Sequence, residues 1–160
     1  MPKKDSKPRL SAGLLLYRFQ NGVLQVLLAH PGGPLYSKKD NGAWTIPKGE
    51  PDGDEDLLLT AQREFAEETG ITAVGPFTPL TPIQQKGGKF VHAWAVEQDC
   101  DPTTIQSNTF TMEWPPHSGQ QQSFPEVDRA AYFDLETAKR KIREKQDALL
   151  DELAAILATH

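Results

Sequence analysis

The chain has 160 residues, of which 38% are hydrophobic and 24% are charged, and its formal net charge at pH 7 is −5. This length predicts a single domain with one main core, since a second independent core needs a longer chain. The net negative charge argues against a mainly electrostatic contact with nucleic acid, which needs a basic face. We therefore expect no nucleic-acid partner, although a local basic pocket for a small phosphate compound is compatible with this charge.

Cysteine content and apolar runs indicate where the protein works. Cys100 is the only cysteine, so an intrachain disulfide cannot form, which is typical of a reducing compartment. The apolar run after the basic first residues ends at Arg18, and no small-residue cleavage site follows it. No stretch approaches the ~20 apolar residues of a membrane span. These features predict a cytoplasmic protein without a membrane partner, in which a flexible tail at residues 1–9 precedes a single domain at residues 10–160.

The first part of the sequence predicts a β-hairpin. Leu10–Phe19 and Val23–His30 are apolar runs of strand length. The Asn-Gly pair at 21–22 separates them and favours a tight turn, because both central residues of such a turn adopt positive φ. Glycine and proline then predict a loop over 31–41, and Trp44–Pro47 is typical of a short extended segment.

The rest of the chain predicts a helix, further strands and two C-terminal helices. Residues 54–69 have helical periodicity, and Gly70 is a natural stop for that helix. Three prolines between 74 and 85 favour a loop or an irregular edge strand. Residues 89–97 alternate as a strand with a buried face, whereas residues 99–122 are polar and carry few signals. The remaining expected elements are two short strands and two helices, at 109–114, 130–133, 134–143 and 146–158.

The predicted helix at 54–69 carries three carboxylates on one edge. On a helical wheel, Glu64, Glu67 and Glu68 share an arc of about 100°. Arg63 lies four residues before Glu67 and can relieve the repulsion of one carboxylate, but it cannot neutralise all three. A hard divalent cation such as Mg²⁺ would do so, because it prefers carboxylate oxygens. A solvated acidic face is the alternative interpretation, and the cluster alone leaves both open.

The stretch from Gly49 to Ile71 follows the pattern G-x5-E-x7-R-E-U-x-E-E-x-G-U, in which U is a bulky apolar residue. Its fixed positions are filled by Gly49, Glu55, Arg63, Glu64, Phe65, Glu67, Glu68, Gly70 and Ile71. This pattern resembles the signature of the Nudix hydrolase superfamily, although Phe65 stands where an aliphatic residue is more usual. The resemblance implies an α/β fold, namely the Nudix-type α/β/α sandwich with a mixed β-sheet. It also implies a Mg²⁺- or Mn²⁺-dependent hydrolase that acts on a nucleoside diphosphate linked to another group.

The resemblance also implies roles for individual residues. The expected metal ligands are the three signature glutamates, Glu64, Glu67 and Glu68. The backbone carbonyl of Lys48 or Gly49 is expected to supply a further ligand. Arg63 is expected to orient a glutamate, and Glu55 is expected to support the join between loop and helix. Together with these glutamates, Arg63 is counted among the catalytic residues.

The resemblance leaves the general base open between a signature glutamate and a glutamate from a later loop. Glu126 precedes a short aromatic strand, as late-loop glutamates do in some members of the family, and is the expected base or an additional metal ligand. Glu113 and Asp128 are the other acids of this region, and an exposed loop position for Glu126 is the alternative interpretation.

Substrate contacts are predicted from the segment before the signature. The run WTIPKGE at 44–50 resembles the lead-in of Nudix members that act on dinucleoside polyphosphates or diphosphoinositol compounds. Lys48 in this run and Lys39 in the preceding loop are expected to contact phosphate. Trp44 is a candidate for stacking on a base, with a core position as the alternative. Lys86 and Lys89 are further candidates for the same cleft.

The sequence thus predicts an enzyme that hydrolyses a phosphoanhydride in a nucleotide-type small molecule, with a dinucleoside polyphosphate or a nucleoside triphosphate as candidate substrates. The alternative is a nucleotide-sensing binding module that keeps the fold without turnover. An isomerase of the same fold would need a catalytic cysteine, and Cys100 lies in a polar, loop-like stretch that does not favour this role. The sequence does not predict the oligomeric state.

Overall fold

The computed structural model describes residues 9–159, so the predicted tail at 1–9 lies outside the described residues except for Arg9. The strands in this range are β1 (Leu10–Gln20), β2 (Val23–Pro31), β3 (Lys48–Gly49), β4 (Thr78–Pro79), β5 (Ile83–Gln84), β6 (Phe90–Glu97), β7 (Thr109–Glu113), β8 (Gln121–Pro125) and β9 (Val127–Asp134). The helices are α1 (Leu57–Thr69), α2 (Leu135–Lys141) and α3 (Asp147–Ala158), with a short 3₁₀ turn at Pro102–Thr104. None of the helices in residues 9–159 is long and apolar enough to cross a membrane.

The sheet is built around β1. This strand pairs in parallel with β6, from Leu10 opposite Phe90 to Tyr17 opposite Glu97, and antiparallel with β2. The strand order is β4-β6-β1-β2-β9, with β3 paired to β1 and β5 paired to β6. The predicted hairpin of β1 and β2 is confirmed, because both residues of its turn, Asn21 and Gly22, have positive φ.

Helices cover both faces of this sheet. Alternate residues of β1 point to opposite sides, so Leu14 packs with Phe65 of α1 while Leu15 packs with α3. The buried residues of α3 that face the sheet are Leu149, Leu150 and Leu153. A mixed sheet between two helical layers is the predicted α/β/α sandwich, and the predicted fold class is confirmed.

Some elements have other boundaries than predicted, and one strand was not expected. Helix α1 begins at Leu57, three residues later than predicted, because the side chain of Asp56 accepts a hydrogen bond from the Leu59 amide and caps the helix. Its end at Gly70 is as predicted, with a left-handed φ of 76°. The proline-rich stretch at 74–85 forms the two short strands β4 and β5 on the edge of β6, in agreement with the expected irregular edge strand. Strand β8, which pairs with β7, lies in a polar stretch where no strand was expected.

A glycine in β1 allows the chain before the signature to cross the sheet closely. A Cβ atom at Gly13 would lie 2.5 Å from the Pro47 carbonyl oxygen and 2.6 Å from the Lys48 Cβ atom. The Leu14 amide donates a hydrogen bond to the same Pro47 carbonyl, at 3.2 Å. Because no side chain intervenes, β3 pairs with β1 and brings Lys48 and Gly49 to the sheet surface beside α1.

We predict that Gly13→Ala lowers the free energy of unfolding by about 1–3 kcal/mol, because the methyl group overpacks this crossing. The measurement is urea denaturation followed by circular dichroism. Gly87→Ala is the control, since its Cβ would meet no atom within 4 Å and only its left-handed backbone is strained. Equal stabilities of the Gly13→Ala variant and the wild type would show that the crossing has room for a side chain.

Candidate functional site

An acidic cavity of about 290 Å³ lies between α1, β3 and the start of β9. Four carboxylates line it, from Glu64, Glu67, Glu68 and Glu126. Lys48, Gly49, Asn108 and Thr109 complete its wall. The structure therefore brings the three signature glutamates together with Glu126, which follows them in sequence by more than fifty residues.

The Arg63 guanidinium organises one side of this cavity. Its Nε atom and one terminal nitrogen donate to the two carboxylate oxygens of Glu55, at 3.0 and 2.9 Å. The other terminal nitrogen donates to Glu64 at 3.0 Å and to Glu67 at 3.2 Å. The hydrogen bonds from Arg63 lower the pKa of Glu55 to about 2, so this carboxylate stays charged. Arg63 thus fixes two cavity glutamates, and Glu55 anchors Arg63 to the loop before α1.

Glu64 lies directly against the backbone of β3. A Cβ atom added at Gly49 would overlap the Glu64 carboxylate group. Glycine at this position leaves room for the carboxylate, because a side chain would displace it from the cavity wall. This contact gives a physical reason for the first fixed position of the signature.

Burial makes two carboxyl groups of the cavity, those of Glu68 and Glu64, harder to ionise. Burial, together with the charges of Glu64 and Glu126, raises the pKa of Glu68 to about 9, although Lys48 acts in the opposite direction. Burial also raises the pKa of Glu64, against the opposing effect of Arg63. Carboxylates of this kind are hard oxygen donors that suit Mg²⁺ or Mn²⁺, so the residues present fit a divalent ion by their chemistry.

The carboxylates of Glu64, Glu67 and Glu68 line one cavity but do not converge on one point within it. Within residues 9–159, no three acidic, histidine or cysteine side chains converge closely enough to hold a metal ion. Glu64 and Glu67 are instead directed to Arg63.

Backbone hydrogen bonds fasten Glu126 to the helix. The Asn108 amide donates to the Glu67 carbonyl at 2.8 Å, and the Asn108 carbonyl accepts from the Glu126 amide at 2.8 Å. Two residues further along the helix, the Thr69 carbonyl accepts a hydrogen bond from the Gln106 amide at 2.9 Å. This segment, 106–108, places the Glu126 carboxylate opposite the helix. Sequence reasoning did not identify Asn108 or its neighbour in the cavity wall, because backbone contacts leave no residue pattern.

Lys48 stands at the border of the acidic cavity. Burial lowers the pKa of its ammonium group to about 8, and repulsion from Lys89 and Arg143 contributes, while the carboxylates of Glu68 and Glu50 oppose this. The side chain is thus a partly shielded cation within reach of an anion in the cavity.

Two predicted substrate contacts lie outside the acidic cavity. Trp44 is only 4% exposed, its ring packs edge-on against His30 and Phe133, and its Nε1 atom donates to Asp40. This burial does not fit base stacking and corresponds to the core alternative. Lys39 lies on the exposed loop that lines a separate cavity.

The other acids considered as the base also lie elsewhere. Glu113 accepts a hydrogen bond from the Gly119 amide in the β7–β8 hairpin. Asp128 lies 2.9 Å from Nδ1 of the buried His30. Glu126 lines the acidic cavity, whereas Glu113 and Asp128 do not.

Comparison with known proteins decides the family. Residues 7–153 match the family model of the NUDIX domain. The chain belongs to the Nudix family. The predicted family is confirmed.

Solved structures agree with this assignment. The binary complex of the Ap4A hydrolase from C. elegans superposes with a TM-score of 0.66 at 26% identity, over 95% of this chain and 99% of that one. The NUDIX domain of Shewanella oneidensis NrtR, solved with ADP ribose, superposes with a TM-score of 0.68, over 98% of this chain and 93% of that one. Its identity of 17% supports the fold alone.

Among curated proteins, an RNA pyrophosphohydrolase from Caulobacter vibrioides is 43% identical over 54 residues. This match spans 31% of this chain and 31% of that protein, so it concerns a shared segment and not the whole enzyme. The Nudix domain and these hydrolase relatives support the expected pyrophosphohydrolase class.

We predict that Gly49→Ala weakens the binding of Mn²⁺ at least about tenfold, because the added methyl group displaces the Glu64 carboxylate. Isothermal titration calorimetry with Mn²⁺ measures this affinity. The control is Gly53→Ala, whose Cβ would meet no atom within 4 Å. Unchanged Mn²⁺ affinity in Gly49→Ala would contradict a role of Glu64 as ligand.

Proposed function

We propose that this protein is a divalent-metal-dependent pyrophosphohydrolase, which cleaves a phosphoanhydride bond in a nucleoside diphosphate linked to another group. The observation that carries the proposal is the convergence of Glu64, Glu67, Glu68 and Glu126 on one cavity. Arg63 offsets only the outer two of these charges directly. Such a concentration of buried negative charge is stable when a cation belongs among the carboxylates.

Mg²⁺ or Mn²⁺ is the proposed cofactor. The carboxylates of the signature glutamates would hold it, with a backbone carbonyl of Lys48 or Gly49 as a further ligand. A bound dication supplies charge neutralisation of the diphosphate and stabilisation of the leaving phosphate. Arg63 would keep two of the ligands oriented through the hydrogen bonds that it donates to them.

Glu126 is the proposed general base. Its carboxylate would take a proton from the attacking water, whose oxygen forms a bond to phosphorus as the bridging P–O bond breaks. The leaving phosphate departs with the electron pair of that bond. Lys48, at the edge of the cavity, would bind a phosphate oxygen and favour this departure.

The proposed substrates are a dinucleoside polyphosphate or a nucleoside triphosphate. Support for the first comes from the Ap4A hydrolase of C. elegans, which matches nearly the full length of both chains. The cytoplasmic location expected from the sequence is compatible with such a substrate and remains a proposal. A screen of nucleotides with Mg²⁺ and identification of the products tests the activity. Tight nucleotide binding without turnover of any compound would favour a binding module instead.

We predict that Glu68→Gln lowers kcat by a factor of about 10² or more, because it removes a charged metal ligand from the centre of the cavity. The thermal midpoint should stay the same or rise, since the substitution relieves repulsion among buried carboxylates. Steady-state kinetics and circular dichroism measure the two quantities. Near-normal kcat in this variant would contradict the proposed metal site.

We also predict that Glu126→Gln lowers kcat by about 10²–10⁴, while the affinity for Mn²⁺ changes little, because a base acts on water rather than on the metal. Glu113→Gln is the matched control, since this acid lies in the β7–β8 hairpin. Loss of Mn²⁺ affinity along with kcat would instead make Glu126 an additional ligand, and an unchanged kcat would exclude both roles.

A further inference from the structure

His30, near the end of β2, is a buried side chain that forms hydrogen bonds at both nitrogens of its ring. It is 0% exposed, so bulk water cannot satisfy these nitrogens. Nε2 lies 2.7 Å from the Lys39 carbonyl oxygen, and Nδ1 lies 2.9 Å from Oδ1 of Asp128. The imidazole ring therefore joins the loop after β2, which carries Lys39, to the start of β9, which carries Asp128.

The two partners determine how the His30 ring is bonded. A carbonyl oxygen can only accept, so Nε2 carries a proton and donates it to Lys39. A proton between Nδ1 and the Asp128 carboxyl group completes the second bond, whichever of the two atoms holds it. A buried nitrogen that loses its partner keeps the full cost of desolvation, so the ring favours the conformation in which both bonds form.

The loop segment that meets His30 is itself anchored. Trp44 packs edge-on against the His30 ring, with 5.1 Å between the ring centroids, and its Nε1 atom donates to Asp40. Asp40 follows Lys39 directly in the sequence and also accepts a hydrogen bond from Lys141. The Lys39 carbonyl therefore approaches Nε2 from a segment that is tied to the core at the next residue.

Asp128 occupies an irregular position in β9. His30 is opposite Arg129 and Pro31 is opposite Val127, so Asp128 is an extra residue between the two pairs. A bulge of this kind bends the strand and re-aims the residues beside it. The hydrogen bond with His30 holds the side chain of this extra residue, and with it the conformation of the bulge.

Glu126 lies two residues before Asp128, next to the bulge. Its carbonyl accepts a hydrogen bond at 2.9 Å from the amide of Gly32, which is the second residue after His30. A Cβ atom at Gly32 would overlap the Pro125 carbonyl oxygen, so the chain before β9 lies directly against the start of the loop. The Glu126 backbone is thus held between the loop and the bulge, and His30 is bonded to both.

We propose that His30 is a positioning residue for Glu126, because its two hydrogen bonds fix the loop and the bulge between which the Glu126 backbone is held. This inference rests on the proposed function, in which Glu126 is the base. His30 does not line the acidic cavity, so it acts through Glu126 and touches neither substrate nor metal. A displacement of about 1 Å can lower a rate by a factor of about 10², so loss of these bonds should slow the chemical step and leave binding nearly unchanged.

The first experiment compares Asp128→Ala with Asp128→Asn. Both variants remove the negative charge, but the asparagine amide can still form a hydrogen bond with Nδ1. With Ap4A as substrate, Asp128→Ala should lower kcat at least about tenfold, while KM stays within about threefold and the Mn²⁺ affinity within about twofold. Asp128→Asn should recover kcat to within about threefold of the wild type, because it restores the bond without the charge. The Asp128 side chain is 27% exposed, so both variants are expected to fold.

His30→Leu removes both bonds from the other side, and it should lower kcat at least as much as Asp128→Ala. Phe133→Leu is the control for packing, because this ring packs against Trp44 with 5.0 Å between the centroids and carries no polar atom. It should lower the thermal midpoint while kcat stays within about twofold of the wild type. If His30→Leu does not fold, the two Asp128 variants decide.

Equal falls in kcat for Asp128→Ala and Asp128→Asn would make the charge responsible and overturn the inference. An unchanged kcat in Asp128→Ala would overturn it too, and so would an equal fall in the Phe133→Leu control.

The second experiment does not depend on turnover. Amide hydrogen exchange, followed by NMR, reports on the Gly32 amide, which donates to Glu126, and on the Glu126 amide, which donates to Asn108. Both amides should exchange at least about tenfold faster in Asp128→Ala than in the wild type or Asp128→Asn, whereas amides within α3 keep their wild-type rates. Unchanged exchange at these two amides would overturn the inference. A wild type without hydrolase activity would defeat the proposed function, while the exchange rates would still decide whether His30 holds this segment.

Discussion

The site depends on one guanidinium that serves as an internal counter-ion. Arg63 binds Glu55 on the loop side and Glu64 and Glu67 on the helix side, so it joins the segment before α1 to the helix itself. Charge-assisted bonds of this kind are directional as well as strong, and they set the side-chain positions of the outer carboxylates. They do not reach Glu68, whose buried carboxyl group has a pKa raised to about 9 and is therefore costly to ionise. The divalent cation proposed for this cavity would favour the ionised form of Glu68.

Lys48 lies between the acidic cavity and a cavity lined mainly by cations. The other cations of this second cavity are Arg9, Lys86, Lys89 and Arg143. The position of Lys48 follows from the close crossing of β1 and β3 at Gly13. Gly49 then admits the Glu64 carboxylate on the other side of the same short strand. Because Gly13 and Gly49 have no side chains, the short strand at 48–49 lies close to both β1 and α1. Lys48 can therefore line both cavities.

Sequence reasoning succeeded where the signal is local and failed where the contact is distant. The hairpin turn and the end of α1 follow from residues whose backbone preferences are strong, and the signature places three carboxylates on one helix edge by periodicity alone. The burial of Trp44 depends on the packing of α2 and β9 against it, which no local pattern encodes. Strand β8 is polar because its faces are largely exposed, so alternation gives no signal. The second cavity beside Lys48 was not predicted, because its lining residues come from four distant parts of the chain.

The backbone contacts of the segment at 106–108 allow its side chains to vary between related proteins. It secures Glu126 through amide and carbonyl groups, which every amino acid except proline provides alike. The side chains at these positions can therefore differ between related proteins while the Glu126 carboxylate keeps its place. Asn108 itself lies in the cavity wall, so exchanging it would reshape the space around a ligand while the reacting groups stay in register. Selectivity and chemistry can thus evolve separately within one stretch of chain.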